Sequence, residues 1–244
     1  MQLRAVLFDL GDTLLEFDAL NPWEYLHEGI LRVHAWLGRR NGQTPNVDVY
    51  ARRARRAIRK AYFWSLLRRR EVDVFDVLGR LHLHWGIDLS REELKHIAEL
   101  FYQPLRERGR VNPTSIDVLT RLQTAGLKLG LISNTFVPGD LLDDHLAEEK
   151  LLEFFPVRVY SCDVRYLKPD ERIFLTALKG LQVDPGQAIF VGDTPAIDVR
   201  GANRLGITSV WLRRGQPADR RYPPKHQIRR LTELTEIVER YRTP

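Results

Sequence analysis

Apolar and polar positions fall into two regimes along the chain. Residues 4–8 form a short, mostly apolar run that closes on Asp9, the pattern of a buried strand. The next run of that kind comes at 127–132, after a helical pattern at 113–125 closed by Gly126. From there the periods alternate. The reading predicts strands at 157–161, 188–191 and 208–212, with helices at 171–181 and 197–205 between them. Such alternation predicts βαβ units, a parallel sheet and right-handed crossovers.

Between Leu14 and Arg110 the spacing is helical throughout. Asn21-Pro22-Trp23-Glu24 reads as a helix start, with Asn as N-cap, Pro at the first position and Glu at the third. Gly38 and Asn41-Gly42 are expected to close that helix. A second helix is predicted at 47–70 and a third at 72–84, stopping near Gly86. Ser90-Arg91-Glu92-Glu93 is a capping box that opens a fourth, which Pro104 is expected to bend or end. A helical insertion thus interrupts an α/β domain just after its first strand. Residues 213–226 read as a loop and 232–241 as a final amphipathic helix.

Composition changes this picture little. Of 244 residues, 43% are apolar and 29% charged, an ordinary globular balance. No apolar run approaches the roughly 20 residues that span a bilayer, and the run at 3–10 is too short and too charged for a signal peptide. A cytoplasmic protein without a membrane partner is the expectation. Cys162 is the single cysteine, so an intrachain disulfide is excluded and a buried filler thiol is expected. The net charge of +6 suits an anionic substrate and would equally suit nucleic acid. No acidic residue lies between Arg52 and Arg70, and helical spacing puts Arg52, Arg55, Arg56 and Arg59 on one face. That face reads as solvated, or as a recruiter of an acidic substrate or of nucleic-acid phosphates. Tyr62, Phe63 and Trp64 are expected to pack within the helical insertion.

The chemistry gathers at strand ends, where open parallel sheets bind ligands. The first strand is followed by Asp9-Leu10-Gly11-Asp12-Thr13 and the second by Ser133-Asn134-Thr135. Lys168-Pro169-Asp170 lies beyond the third, and Gly192-Asp193-Thr194 beyond the fourth, with Asp198 five residues after Asp193. A carboxylate can attack phosphorus and split hydrolysis into two easier steps. Asp9 and Asp193 offer hard oxygen ligands suited to Mg²⁺, Lys168 adds a positive charge, and Ser133 can donate to a phosphoryl oxygen. Each residue alone could be a turn or cap residue. Four such clusters in order make a site.

This ordered set resembles the four motifs of haloacid-dehalogenase-like hydrolases. Residues 1 to about 14 and about 111 to 230 fit the family's core, and the insertion fits the helical cap of one subclass. The resemblance implies a Rossmann-like parallel-sheet core (1–14 and 111–244) with an inserted helical cap (15–110). It implies Asp9 as nucleophile and metal ligand, Thr13 as support of the nucleophile loop, Ser133 as phosphate donor with Asn134 beside it, and Lys168 as the third-motif lysine. It implies Asp193 as metal ligand and Asp198 as its supporting acid. Mg²⁺ is the expected cofactor and a small phosphorylated metabolite the expected substrate.

One position departs from the pattern. The family's phosphatases carry an aspartate two residues after the nucleophile, as general acid and then base. Here that position is Gly11, and the carboxyl stands one place on, at Asp12. The backbone carbonyl of Gly11 can still serve the metal. A proton donor is lost unless Asp12 reaches in, and such help is typically worth about 10²–10⁴-fold. Dehalogenases of the family also lack that acid, but they need no metal and lack the pair seen at Gly192-Asp193. Phosphonoacetaldehyde hydrolysis would need a cap lysine, and Lys60 and Lys95 lie in no recognisable motif. A degenerate relative that binds a phosphorylated ligand without turning it over is the further alternative.

Overall fold

The computed structural model describes residues 2–17, 22–41, 44–217 and 219–242. The chain divides into two compact units. One comprises Met1–Glu16, Arg110–Asn134 and Leu146–Pro244; the other comprises Phe17–Gly109 and Thr135–His145. The helical unit therefore includes a stretch just after Ser133-Asn134 that the sequence reading gave to the core.

The first unit is built on a six-stranded sheet in which every neighbouring pair is parallel. The strands are β1 (Ala5–Phe8), β4 (Lys128–Ser133), β5 (Val157–Tyr160), β6 (Ala188–Gly192), β7 (Thr208–Leu212) and β8 (His226–Ile228). Two short strands, β2 (Leu15–Glu16) and β3 (Arg110–Val111), pair antiparallel in a separate ribbon. The sheet order is β5-β4-β1-β6-β7-β8. All four residues of β1 are fully buried, as a central parallel strand requires. Its register sets Phe8 beside Leu131 on one side and Val191 on the other. The chain passes from β1 to one side of it and later returns to the opposite side, so β1 marks the point where strand order reverses. Ligands of open α/β sheets bind at that crevice.

In the helical unit, α1 (Pro22–Asn41), α2 (Val47–Arg68), α3 (Val74–Leu83) and α4 (Arg91–Arg108) follow in order. Asn21 and Gly42 lie outside the described residues, and Gly38 falls within α1 rather than ending it. Helix α4 opens on the Ser90–Glu93 capping box and continues through Pro104 to Arg108. The expected end at Pro104 does not occur. Pro104 and its neighbours Phe101 and Tyr102 are buried, and that packing offsets the one hydrogen bond that proline removes. Tyr62, Phe63 and Trp64 are exposed rather than packed, because α2 buries only the opposite face, through Tyr50, Ala51, Ala54 and Ser65. Tyr50 meets the buried His82 through a 2.9 Å hydrogen bond between its hydroxyl and Nε2.

The remaining helices are α5 (Ser115–Thr124), α6 (Gly139–Glu148), α7 (Ser161–Val164), α8 (Glu171–Leu181), α9 (Arg200–Arg204) and α10 (Leu234–Arg242). Helix α8 turns Ile173, Phe174, Ala177, Leu178 and Leu181 into the core, where the Phe174 ring meets Phe190 edge-on at 5.1 Å. The helix expected at 197–205 is a wide π-type turn at Pro195–Val199 followed by α9. Cys162 is half-exposed on α7 rather than buried. Among the described residues, no helix is long and apolar enough to cross a membrane.

Candidate active site

The ends of β1, β4 and β6 converge on one set of side chains. Asp9 leaves β1 with its N–H bonded to the Val191 carbonyl at 2.9 Å, which fixes the carboxylate over the sheet edge. Both carboxylate oxygens are engaged: Thr13 donates its hydroxyl to Oδ2 at 3.3 Å, and Lys168 donates Nζ to Oδ1 at 2.5 Å. Lys168 is buried and also pairs with Asp198 Oδ1 at 2.8 Å. Below it, the Phe190 ring lies 5.4 Å from Nζ.

The loop that carries Lys168 is gripped by Asn134. The Asn134 side chain donates Nδ2 to the Lys168 carbonyl at 3.0 Å and accepts the Lys168 N–H on Oδ1 at 2.7 Å. Both amide functions are thus turned to holding the lysine. Ser133, the last residue of β4, is buried at the same edge.

Beyond β6, Thr194 organises the acids. Its N–H donates to Asp198 Oδ2 at 3.0 Å and its hydroxyl to Asp193 Oδ1 at 3.1 Å. Asp198 thus accepts from a residue earlier in the chain and does not cap the helix that follows it. The Trp211 indole donates to the Asp193 carbonyl at 2.8 Å. Gly192 is required here by space: a Cβ at this position would come within 2.4 Å of Asp198 Oδ2.

The loop after Asp9 closes on itself, with the Asp12 N–H bonded to Leu15 O at 2.7 Å. Asp12, not Gly11, takes the left-handed conformation, at φ 53°. Asp tolerates that region better than most residues. The Asp12 side chain is exposed, yet its charge acts on Asp193. Arg214 holds the far side of the loop through a 2.6 Å ion pair to Glu16 and a 3.4 Å bond to the Thr13 carbonyl. Neither Arg214 nor Trp211 carries a motif in the sequence. The double role of Asn134 had a weak signal, its position directly after a strand-end serine.

Oxygens of Asp9, Asp193 and Asp198 all lie within 4.8 Å of one another. Three carboxylates against the single ammonium of Lys168 leave two uncompensated negative charges in a buried site. Burial, opposed by Lys168 and reinforced by Asp198 and Asp193, raises the Asp9 carboxyl to about 7. Burial and Asp198 push Asp193 up to about 6. For Lys168, burial alone would lower the ammonium, but Asp198 and Asp9 more than reverse this and hold it well above the usual lysine range. An all-oxygen donor set with an excess charge of this size fits a hard divalent cation.

A family model described as haloacid dehalogenase-like hydrolase matches residues 3–206. A phosphoserine phosphatase of Thermus thermophilus is 35% identical over 144 residues, which is 59% of this chain and 57% of that enzyme. The chain thus spans little more than half the length of that relative. A haloacid-dehalogenase phosphatase structure from Thermococcus onnurineus is 28% identical with TM-score 0.63, covering 97% of this chain and 98% of that one. A 2-haloacid dehalogenase structure from Pseudomonas syringae shares the fold at TM-score 0.69 and 22% identity, covering 98% of this chain and all of that one. With the family model matched across β1 to β6, the helical insertion and the acid cluster together, the chain belongs to the haloacid dehalogenase-like hydrolases.

Proposed function

We propose that this protein is a magnesium-dependent hydrolase of small phosphomonoesters that carries the phosphoryl group on Asp9. The observation that supports this most is the buried Asp9–Lys168–Asp198 chain beside Asp193, with its excess negative charge. Asp9, Asp193 and the Gly11 carbonyl would hold Mg²⁺, with Asp198 behind them. When bound, the ion supplies the charge neutralisation that lets a carboxylate approach a phosphate dianion.

The chain's own residues carry the rest. An Asp9 oxygen attacks phosphorus in line, the bond from phosphorus to the ester oxygen breaks, and an aspartyl phosphate forms. Lys168 neutralises charge on Asp9 and on the phosphoryl oxygens, and Thr13 holds the carboxylate in position. Ser133 donates to a phosphoryl oxygen, and Asn134 keeps Lys168 in reach. Water then attacks phosphorus, the acyl-phosphate bond breaks, and Asp9 returns as a carboxylate. The leaving oxygen needs a proton that Gly11 cannot give. Asp12 is assigned that role, and esters with good leaving groups depend on it least.

Names of relatives support phosphorylated metabolites as the substrate class, and partial coverage keeps phosphoserine itself a candidate only. A cytoplasmic location, a cap of residues 15–110 and a core of 1–14 and 111–244 belong to the same proposal. Gly11 favours one rival, metal-free dehalogenation; the charge excess among Asp9, Asp193 and Asp198 weighs against it. The deciding experiment is hydrolysis of an aryl phosphate with Mg²⁺ or chelator, on wild type and Asp9→Asn. Turnover that needs Mg²⁺ and Asp9 is expected. Background rates in both proteins would overturn the proposal, and halide release from a 2-haloacid in chelator would put the rival in its place.

A further inference from the structure

Helix α2 presents a solvent-facing strip that the proposed chemistry does not use. At about 100° per residue, Arg52, Arg55, Arg56 and Arg59 share an arc of roughly 140° with Tyr62, Phe63, Leu66 and Leu67. The first four make a cationic half and the last four an apolar half, followed at once by Arg68, Arg69 and Arg70. The apolar half is bare: Tyr62 is 57% exposed, Phe63 60%, Leu66 50% and Leu67 61%. The opposite face, through Tyr50, Ala51, Ala54 and Ser65, is where the helix packs.

The cations are as telling as the apolar side chains. Elsewhere in this unit arginines find carboxylates, as Arg32 does with Glu28 and Glu107, and Arg40 with Glu93. Among the described residues, none of the arginines and lysines from Arg52 to Arg69 makes an ion pair. Three instead lie over aromatic rings: Arg68 is 5.0 Å from the Trp64 centroid, Arg53 is 5.6 Å from that of Trp85 and Arg59 is 5.6 Å from that of Trp23.

We infer that the exposed strip of α2 docks the protein on an anionic lipid surface. Tyr62, Phe63, Leu66 and Leu67 enter the headgroup boundary, while the arginines on either side bind lipid phosphates. A helix that lies in the interface needs no membrane-spanning run, only an apolar edge and cations beside it. Charge disfavours a second copy of this chain as the occupant. Antiparallel pairing about a twofold axis through the apolar half would set Lys60 of one copy against Arg69 of the other. Nucleic acid accounts for the arginines, and bases could stack on Tyr62 and Phe63, but it leaves the exposed Leu66 and Leu67 without a role.

The test is co-sedimentation of the full chain with phosphatidylcholine vesicles, and with vesicles in which a third of the lipid is phosphatidylglycerol. Binding to the anionic vesicles alone is expected, weakening steeply with added salt. Each of Arg52→Gln and Arg56→Gln should weaken it about fivefold. The double variant Phe63→Ser, Leu67→Ser should weaken it at least roughly tenfold. All four positions are exposed, so these proteins should keep the wild-type far-ultraviolet spectrum. Equal binding to both vesicles, or none, overturns the inference. So does a dimer in sedimentation velocity that Phe63→Ser, Leu67→Ser dissolves, or tight RNA binding that this variant leaves unchanged.

Discussion

Replacing Gly192 with alanine tests how tightly the acid cluster is built. The new methyl carbon would lie 2.4 Å from Asp198 Oδ2, 2.5 Å from Cγ and 2.6 Å from Cβ, all far inside van der Waals contact. All three atoms are one side chain, so Asp198 must retreat by about 1 Å to reach ordinary contact distance. That movement stretches its 2.8 Å ion pair with Lys168 and its 3.0 Å bond from the Thr194 N–H. Losing a buried hydrogen bond to a charged group costs about 1.5–3 kcal/mol, and overpacking adds about 1–3 kcal/mol. The total expected is about 3–5 kcal/mol. Gly206→Ala is the control: its φ of 75° strains alanine, but no atom lies within 4 Å of the added carbon. That change should cost only about 1–2 kcal/mol. Urea unfolding with unchanged m-values gives both numbers, and Mg²⁺-dependent turnover should fall for Gly192→Ala alone. In an Asp198→Gly background the added methyl meets none of the three atoms, so its cost should shrink to that of an ordinary strand substitution. A Gly192→Ala protein no less stable than Gly206→Ala would refute the reasoning.

Asp12→Ala removes the assigned proton donor and should lower hydrolysis of an alkyl phosphate by about 10²–10⁴-fold, while aryl phosphates lose far less. An unchanged alkyl rate would mean that Asp12 is not the proton donor. Lys168→Met leaves three carboxylates with no cation among them, and should cost about 3–5 kcal/mol in urea at pH 8, less at pH 5, with turnover abolished. Without metal, Asp9 and Asp193 are raised to about 7 and about 6, so the folded chain holds protons that the unfolded chain, with values near 3.8, releases. Stability from a raised carboxylate is present below its unfolded value and lost as pH climbs through the folded one. The melting temperature in chelator should therefore fall from about pH 4 to about pH 7, with a shallower fall in Asp9→Asn. Equal slopes in the two proteins would contradict the burial of Asp9.

The sheet was legible because parallel strands are written as short apolar runs, and because Asp9, Ser133 and Asp193 each stand where such a run stops. Lys168 was legible only through its motif, since α7 intervenes between β5 and its loop. What sequence could not carry was contact. Nothing in the spelling of Asn134 says that both its amide groups close on Lys168, and a tryptophan in β7 does not announce that it holds the Asp193 carbonyl. Strand β8 was missed because Pro and Arg around it read as loop. Pro104 was read by its local cost alone, and buried neighbours outweighed that cost. The bare aromatic edge of α2 had a usable signal: the wheel that groups Arg52, Arg55, Arg56 and Arg59 also carries Tyr62, Phe63, Leu66 and Leu67 onto the same side.

The central position of β1 has a consequence for the order in which the protein is made. Its neighbours are Lys128–Ser133 and Ala188–Gly192, so the first of the six sheet strands to be made waits for residues far down the chain. At about 5–20 residues per second, the wait for its second partner is on the order of 10–40 seconds. Most of the helical unit, Phe17–Gly109, is synthesised within that interval and can fold while β1 has no partner. A nascent chain that stops anywhere before Gly192 carries the Asp9 carboxyl but none of the acids that would face it.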